Sequence, residues 1–155
     1  MILILTGPTR HHKTTTLIAW ASHRDDCGGV VSPDVDGLRV LQNVKTKEII
    51  PWQKNIPGKN DLIVGRFAFD ADGFNTAVHW LNEHLDNPEV RHIILDEIGS
   101  LELEGNGWGP WLRSALPVLG DKTLILVVRR PLLDEVINHY GMEEVSVVER
   151  SYFEK

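Results

Sequence analysis

The chain opens on four consecutive apolar residues, Ile2-Leu3-Ile4-Leu5, closed by Thr6-Gly7-Pro8. A run that is apolar at every position predicts a strand covered on both faces, and the Gly-Pro pair after it predicts a loop. From Lys13 to about Arg24, residues Leu17, Ile18, Trp20 and Ala21 recur at helical spacing, and Asp25-Asp26-Cys27-Gly28-Gly29 ends the helix. Gly29-Val30-Val31-Ser32 predicts a short strand. Leu38 to Leu41 and Glu48 to Trp52 flank the polar turn Lys45-Thr46-Lys47, the pattern of a β-hairpin. The run Leu62 to Phe67 predicts one further strand, with Gly65 marking a bulge. Phe74, Ala77, Val78, Leu81 and Leu85 then fall on one helical stripe.

The second half alternates more plainly. It predicts a strand from His92 to Leu95, a helix near Trp108 to Leu116, a strand from Leu124 to Val128, a helix from Leu132 to Tyr140 and a strand from Val145 to Val148. Pro110 and Pro131 suit first helical turns, where the missing N–H costs nothing. Gly105-Asn106-Gly107 is the best candidate for a mobile loop. Repeated βα units of this length imply an α/β chain in three layers, a mainly parallel sheet with helices on both faces, plus the early hairpin.

Composition narrows the classes. The 155 residues carry a formal charge of −6 and are 42% hydrophobic, the profile of one soluble globular domain spanning residues 1–155. The lone Cys27 excludes an internal disulfide framework and makes a reducing, cytoplasmic setting the expectation. Met1 to Leu5 lack a basic flank and are too short for a signal peptide, and no later run reaches the ~18 apolar residues that cross a bilayer. An acidic chain is not expected to bind nucleic acid broadly or anionic membranes, because that attraction depends on clustered Lys and Arg. Any phosphate it holds must sit in a local pocket.

Such a pocket has a candidate. Gly7-Pro8-Thr9-Arg10-His11-His12-Lys13-Thr14 lies between the first strand and the first helix. It matches the phosphate-loop pattern G-x-x-x-x-G-K-[ST] at Gly7, Lys13 and Thr14, with His12 in place of the second glycine. In that pattern loop and helix N–H groups surround phosphate oxygens, the lysine reaches the outer phosphates and the hydroxyl binds Mg²⁺. Alone, the match also fits an ordinary strand-to-helix loop.

A second segment shifts the balance. His92-Ile93-Ile94-Leu95-Asp96-Glu97 is an apolar strand ending in two carboxylates. Acids at the C-terminal end of a buried parallel strand lie on the edge where open α/β sheets bind ligands. There Asp96 would hold Mg²⁺ and Glu97 would orient or deprotonate the attacking water. Otherwise both merely end a strand.

Taken together, Gly7 to Thr15, Ser32-Pro33-Asp34-Val35 with Arg39 after it, and Asp96-Glu97-Ile98-Gly99-Ser100-Leu101-Glu102-Leu103 resemble the THEP-type small P-loop nucleoside triphosphatases over most of the chain. The Asp-Glu-Ile-Gly segment is the more specific match. The resemblance implies the P-loop NTPase fold and Mg²⁺-dependent hydrolysis of ATP, GTP and related nucleotides. It places nucleotide contacts on Gly7, Pro8, Thr9, Arg10, His11, His12, Lys13, Thr14 and Thr15, Mg²⁺ on Thr14 and Asp96, and catalysis on Glu97 and Lys13. A basic residue after the late strand falls on Arg129 or Arg130, with Arg129 the catalytic candidate for stabilising phosphoryl charge.

His12 departs from the pattern. Glycine at that position reaches backbone conformations costly to residues with a Cβ, so histidine carries ~1–3 kcal/mol of strain where a positive φ is required. Protonated His11 or His12 offers compensating charge beside the phosphates. Weakened but retained nucleotide binding is the expectation.

Other residues promise less. His79, Glu83 and His84 match no zinc pattern and read as solvated helix surface. Cys27 reads as inert, Trp108 and Trp111 as helix packing with base stacking as the alternative, and Glu102 and Glu104 as solvated charges. The leading reading is therefore a P-loop nucleoside triphosphatase. A noncatalytic nucleotide-binding or interaction module is the alternative. A small phosphotransferase is a third, for which the stretch from Glu102 to Gly109 supplies no arginine-rich lid.

Overall fold

The computed structural model describes residues 1–7 and 12–154. In chain order the strands and helices are β1 (Ile2–Leu5), α1 (Lys13–Ser22), β2 (Cys27–Val31), β3 (Asp34–Val35), β4 (Leu38–Asn43), β5 (Ile49–Pro51), β6 (Gln53–Lys54), β7 (Leu62–Val64) and β8 (Phe67–Phe69). They continue as α2 (Ala71–Asp86), β9 (His92–Ile98), α3 (Ser100–Leu103), α4 (Gly109–Ala115), β10 (Thr123–Val128), α5 (Leu133–His139) and β11 (Val145–Val148).

The main sheet runs β11-β1-β10-β9-β2-β4-β3, with β5 paired to β4. The five strands from β11 to β2 are mutually parallel, and β4 closes them in the antiparallel sense. Alternate residues of each inner strand face opposite sides, so a strand apolar throughout feeds two cores. Ile2, Ile4, Ile93, Leu95, Leu124 and Leu126 pack with α2, α4 and α5 on one face. Leu3, Leu5, Ile94, Ile125 and Val127 pack with Leu17 and Ala21 of α1 and with Phe153 on the other. Trp108 and Trp111 are buried on the first face, as helix packing requires.

The early hairpin forms between β4 and β5. The Asn43 side chain stabilises its turn by accepting from the N–H of Lys45 at 2.9 Å and of Thr46 at 3.1 Å. The expected single strand over Leu62 to Phe67 is instead two strands, β7 and β8, with Val64 opposite Phe67. Gly65 does not make a bulge; at φ 59° it begins the two-residue turn of a hairpin, a conformation glycine adopts at little cost. With β6 on the far side of β8 these strands form a separate three-stranded antiparallel sheet.

The stretch from Gly105 to Gly107, expected to be a loose loop, is tied down. Gly105 N–H donates to the Glu102 carbonyl at 3.1 Å and Asn106 N–H to the Leu101 carbonyl at 2.8 Å.

Candidate functional site

The C-terminal ends of β1, β2 and β9 converge, and unusual backbone appears there. Between Leu126 and Val128 of β10, strand β9 advances from Leu95 to Ile98, so it holds one extra residue. This bulge is where Asp96 and Glu97 lie. Glu97 has φ 55°, in the left-handed region that a side chain seldom occupies, and bulges beside active sites re-aim side chains in this way. The outcome is a division of environment: Asp96 is 1% exposed, whereas the Glu97 side chain is 47% exposed. The strand thus runs through the two acids rather than stopping at Leu95.

Asp96 is held from two sides. Its Oδ2 accepts from the Thr14 hydroxyl at 2.6 Å and from the Ser32 N–H at 3.1 Å. Among the described residues its Oδ1 is buried with no hydrogen-bond partner, as are Thr6 Oγ1 after β1 and Ser32 Oγ after β2. Buried polar atoms are nearly always satisfied, so three orphans at one sheet edge mark a place where a ligand, ion or water supplies the missing partners. Burial, and secondarily the Glu97 charge, hold the Asp96 carboxyl above its ordinary range. A hydroxyl and a carboxylate with a spare oxygen suit a hard cation such as Mg²⁺.

Lys13 begins α1 and its ammonium lies 3.5 Å from the Gly7 carbonyl. Partial burial lowers its pKa against the opposing pull of Glu97 and Asp96, and Arg129 lowers it further. His12 precedes the helix at φ 55° and ψ 34°, the positive φ anticipated for this position, while its carbonyl accepts from Thr16 N–H at 2.9 Å. Thr15 is exposed on α1. Expectations for Pro8, Thr9, Arg10 and His11 lie outside the described residues.

Glu97 forms an ion pair with Arg39 of β4, whose guanidinium also lies 3.9 Å from Asp34. The candidate arginines separate: Arg129 lines a cavity of about 330 Å³ with Lys13, Arg39 and Glu97, while Arg130 donates to Glu149 at 3.0 Å. A second cavity, about 770 Å³, opens on the other side of Lys13 between Gly7, Arg130 and Arg150.

No family model and no curated protein matches this chain. Solved structures do. The crystal structure of THEP1 from the hyperthermophile Aquifex aeolicus matches over 96% of this chain and 89% of that one, with a TM-score of 0.72 and 16% identity. The solution structure of a human cancer-related nucleoside triphosphatase matches over 95% of this chain and 87% of that one, with a TM-score of 0.66 and 21% identity. The chain has the P-loop NTPase fold.

Within this P-loop fold two buried polar residues escaped the sequence reading. Glu102, expected in solvent, is 3% exposed. Its carboxylate accepts from Gly99 N–H at 2.7 Å and from Trp108 N–H at 2.9 Å, bridging the start of α3 to the loop before α4. Gly107 makes room for it: at φ 57°, a Cβ there would stand 2.1 Å from Glu102 Oε2. Burial pushes the Glu102 carboxyl up to about 7 despite those two N–H donors. The signal was a glutamate three residues after the helix-capping position, the spacing that turns its side chain back on the helix start.

His84 was expected on the surface with His79 and Glu83. Those two do pair on the surface at 2.9 Å, but His84 is 5% exposed and its Nδ1 accepts from Gly29 N–H at 2.8 Å. Burial pushes the Cys27 thiol up to about 11, away from a reactive thiolate. Among the described residues no helix is long and apolar enough to cross a membrane.

Proposed function

We propose that this chain is a Mg²⁺-dependent nucleoside triphosphatase acting on ATP- or GTP-type nucleotides. The carrying observation is the Thr14–Asp96 hydrogen bond of 2.6 Å beside the unpartnered Asp96 Oδ1. A hydroxyl in the first turn of a helix and a strand carboxylate so joined are what a phosphate-bound cation requires at that point.

Lys13 and the N–H groups at the start of α1 bind the outer phosphates, while Thr14 and Asp96 hold Mg²⁺. The cation, held by Thr14 and Asp96, would supply positive charge against the charge that develops on the transferring group. Glu97, exposed on its bulge, orients the attacking water and takes its proton, and Arg129 stabilises charge on the transferring group. Arg39 fixes the rotamer of Glu97. The chemistry is positioning and electrostatics, worth several powers of ten when geometry holds within an ångström.

The test is phosphate release from ATP and GTP with Mg²⁺ by wild type, Lys13→Ala and Glu97→Gln. Turnover in wild type and its loss in both variants is the expected result. Nucleotide binding without turnover in wild type replaces the enzyme by a noncatalytic binding module, and no binding at millimolar nucleotide refutes both.

A further inference from the structure

The cavity beside Lys13 is larger and more apolar than hydrolysis needs. Hydrolysis must admit the transferring phosphoryl group beside Lys13 and Arg129 and one water, whose share of liquid volume is about 30 Å³. This cavity measures about 330 Å³, the lower end of the range for small-molecule pockets. Its lining brings the charged Lys13, Glu97 and Arg129 together with the aromatic Trp52, Phe67, Phe69 and Phe74. Charged groups and aromatic rings around one cavity describe a site for a flat ring bearing a reactive polar group.

Three features specify the ring. Phe67 belongs to the small antiparallel sheet and is 40% exposed, an aromatic edge left in water where a ring could cover it. Trp52 lines the cavity at 6% exposure, and its buried indole Nε1 has no partner among the described residues, a donor left for a ligand carbonyl that reaches it. The charge of Arg39 is already matched by Glu97 and Asp34, which favours a neutral ligand over a phosphorylated one.

We propose that this cavity is an acceptor site for a neutral, carbonyl-bearing ring alcohol of nucleoside size, to which the γ-phosphoryl group passes in competition with water. The proposal rests on the nucleotide reading given above. The alcohol oxygen attacks the γ-phosphorus, and its new O–P bond forms as the bond from that phosphorus to the β-phosphate oxygen breaks. The electron pair of the broken bond leaves with the nucleoside diphosphate. The hydroxyl proton passes to the Glu97 carboxylate and on to solvent, so the products are a phosphomonoester, a nucleoside diphosphate and a proton. The arginine that a phosphotransferase needs comes here from the end of a sheet strand, Arg129 after β10, not from a lid.

Thymidine and uridine are suitable probes, with 2-phenylethanol as a ring alcohol lacking the carbonyl. Incubation with Mg²⁺ and ATP labelled in the γ-phosphate, followed by separation of phosphomonoester from inorganic phosphate, reads both acceptors at once. The expected result is phosphomonoester from a nucleoside at ten times or more the yield from 2-phenylethanol. Val64→Trp, which fills the cavity, should cut that product at least tenfold with phosphate release to water within twofold of wild type. Inorganic phosphate as the only product with every alcohol overturns the proposal. Equal phosphomonoester from Val64→Trp does so as well, by placing the acceptor elsewhere. A loss of ATP binding in Val64→Trp overturns it differently, by assigning the cavity to the nucleotide base. Saturation-transfer NMR of thymidine and uridine on wild type and folded Val64→Trp, without nucleotide, separates the two readings. Wild-type binding lost in the variant supports the cavity assignment even where triphosphate turnover is absent, whereas no binding to wild type removes it. Absent turnover then overturns the transfer step together with the proposed function.

Discussion

The Thr14 hydroxyl donates a 2.6 Å hydrogen bond to Asp96 Oδ2 across 82 residues of sequence, while the buried Oδ1 of the same carboxylate has no partner among the described residues. Folding therefore spends stability on a charge in a dry place. Asparagine at this position keeps an oxygen for Thr14 and Ser32 and removes the charge. Asp96→Asn is expected to match wild type in thermal stability or exceed it, by about 0.5–2 kcal/mol, while Mg²⁺-dependent hydrolysis falls at least 100-fold. Calorimetric melting and a phosphate-release assay on one preparation check this. A variant that is less stable and still active contradicts the assignment of Asp96 to the cation.

Arg39 lies on β4, and its ion pair with Glu97 joins the hairpin to the bulged strand. If it acts by holding the carboxylate in position, Arg39→Ala should lower kcat about 10- to 100-fold with the nucleotide KM within threefold of wild type. Arg39→Lys, which keeps the charge but not the planar fork, should recover only part of the loss. Steady-state kinetics decide: a raised KM at unchanged kcat makes Arg39 a phosphate ligand instead.

His12 occupies φ 55° and ψ 34° immediately before α1, where the sequence pattern calls for glycine. Glycine reaches this conformation without a Cβ penalty, set against its greater freedom in the unfolded chain. His12→Gly should bind ATP more tightly in titration calorimetry, by about 5-fold if about 1 kcal/mol of strain is relieved on closing around phosphate. Unchanged or weaker binding would show that the imidazole itself contributes to phosphate binding, or that the left-handed backbone costs nothing here.

The contrast between what was legible and what was not has physical causes. Ile2 to Leu5, His92 to Leu95 and Leu124 to Val128 announce buried parallel strands because each must satisfy two apolar faces, and that demand leaves a continuous run in the sequence. Lys13, Thr14, Asp96 and Glu97 stand out in the sequence because the phosphate-loop pattern and the acidic strand end restrict residue types at fixed spacing, and the fold gathers them at one sheet edge. The sheet of β6, β7 and β8 was not: its strands are two or three residues long, too short to show a period of two. The bulge at Glu97 was invisible for another reason. An extra residue in a strand is defined by its partner strand, and β10 lies 25 residues and more further along the chain. Glu102 and His84 were misplaced because a charged or polar residue reads as surface until the backbone N–H groups that satisfy it are seen.

Glu102 gives a pH dependence whose sign follows from its burial. Its carboxyl is pushed from 4.5 to about 7 in the folded protein, so the folded state holds the proton more tightly than the unfolded chain. The contribution of the protonated group to stability is complete below about pH 4.5 and is lost as pH rises through about 7, a change of roughly 3 kcal/mol by linkage. His84 and His92 act in the opposite sense, since burial lowers both and favours their neutral forms as pH rises. The total slope therefore mixes these groups, and the difference between wild type and Glu102→Gln isolates the carboxyl. Glutamine cannot ionise, but it sets an NH₂ against one of the two backbone N–H groups that the carboxylate accepts. The variant should be about 1–3 kcal/mol less stable than wild type at pH 5. That gap should narrow steadily to pH 8 as wild type loses what the variant never had. Urea unfolding at pH 5, 6, 7 and 8 measures both curves; a gap that stays constant across the range would mean that Glu102 is ionised in the folded protein throughout.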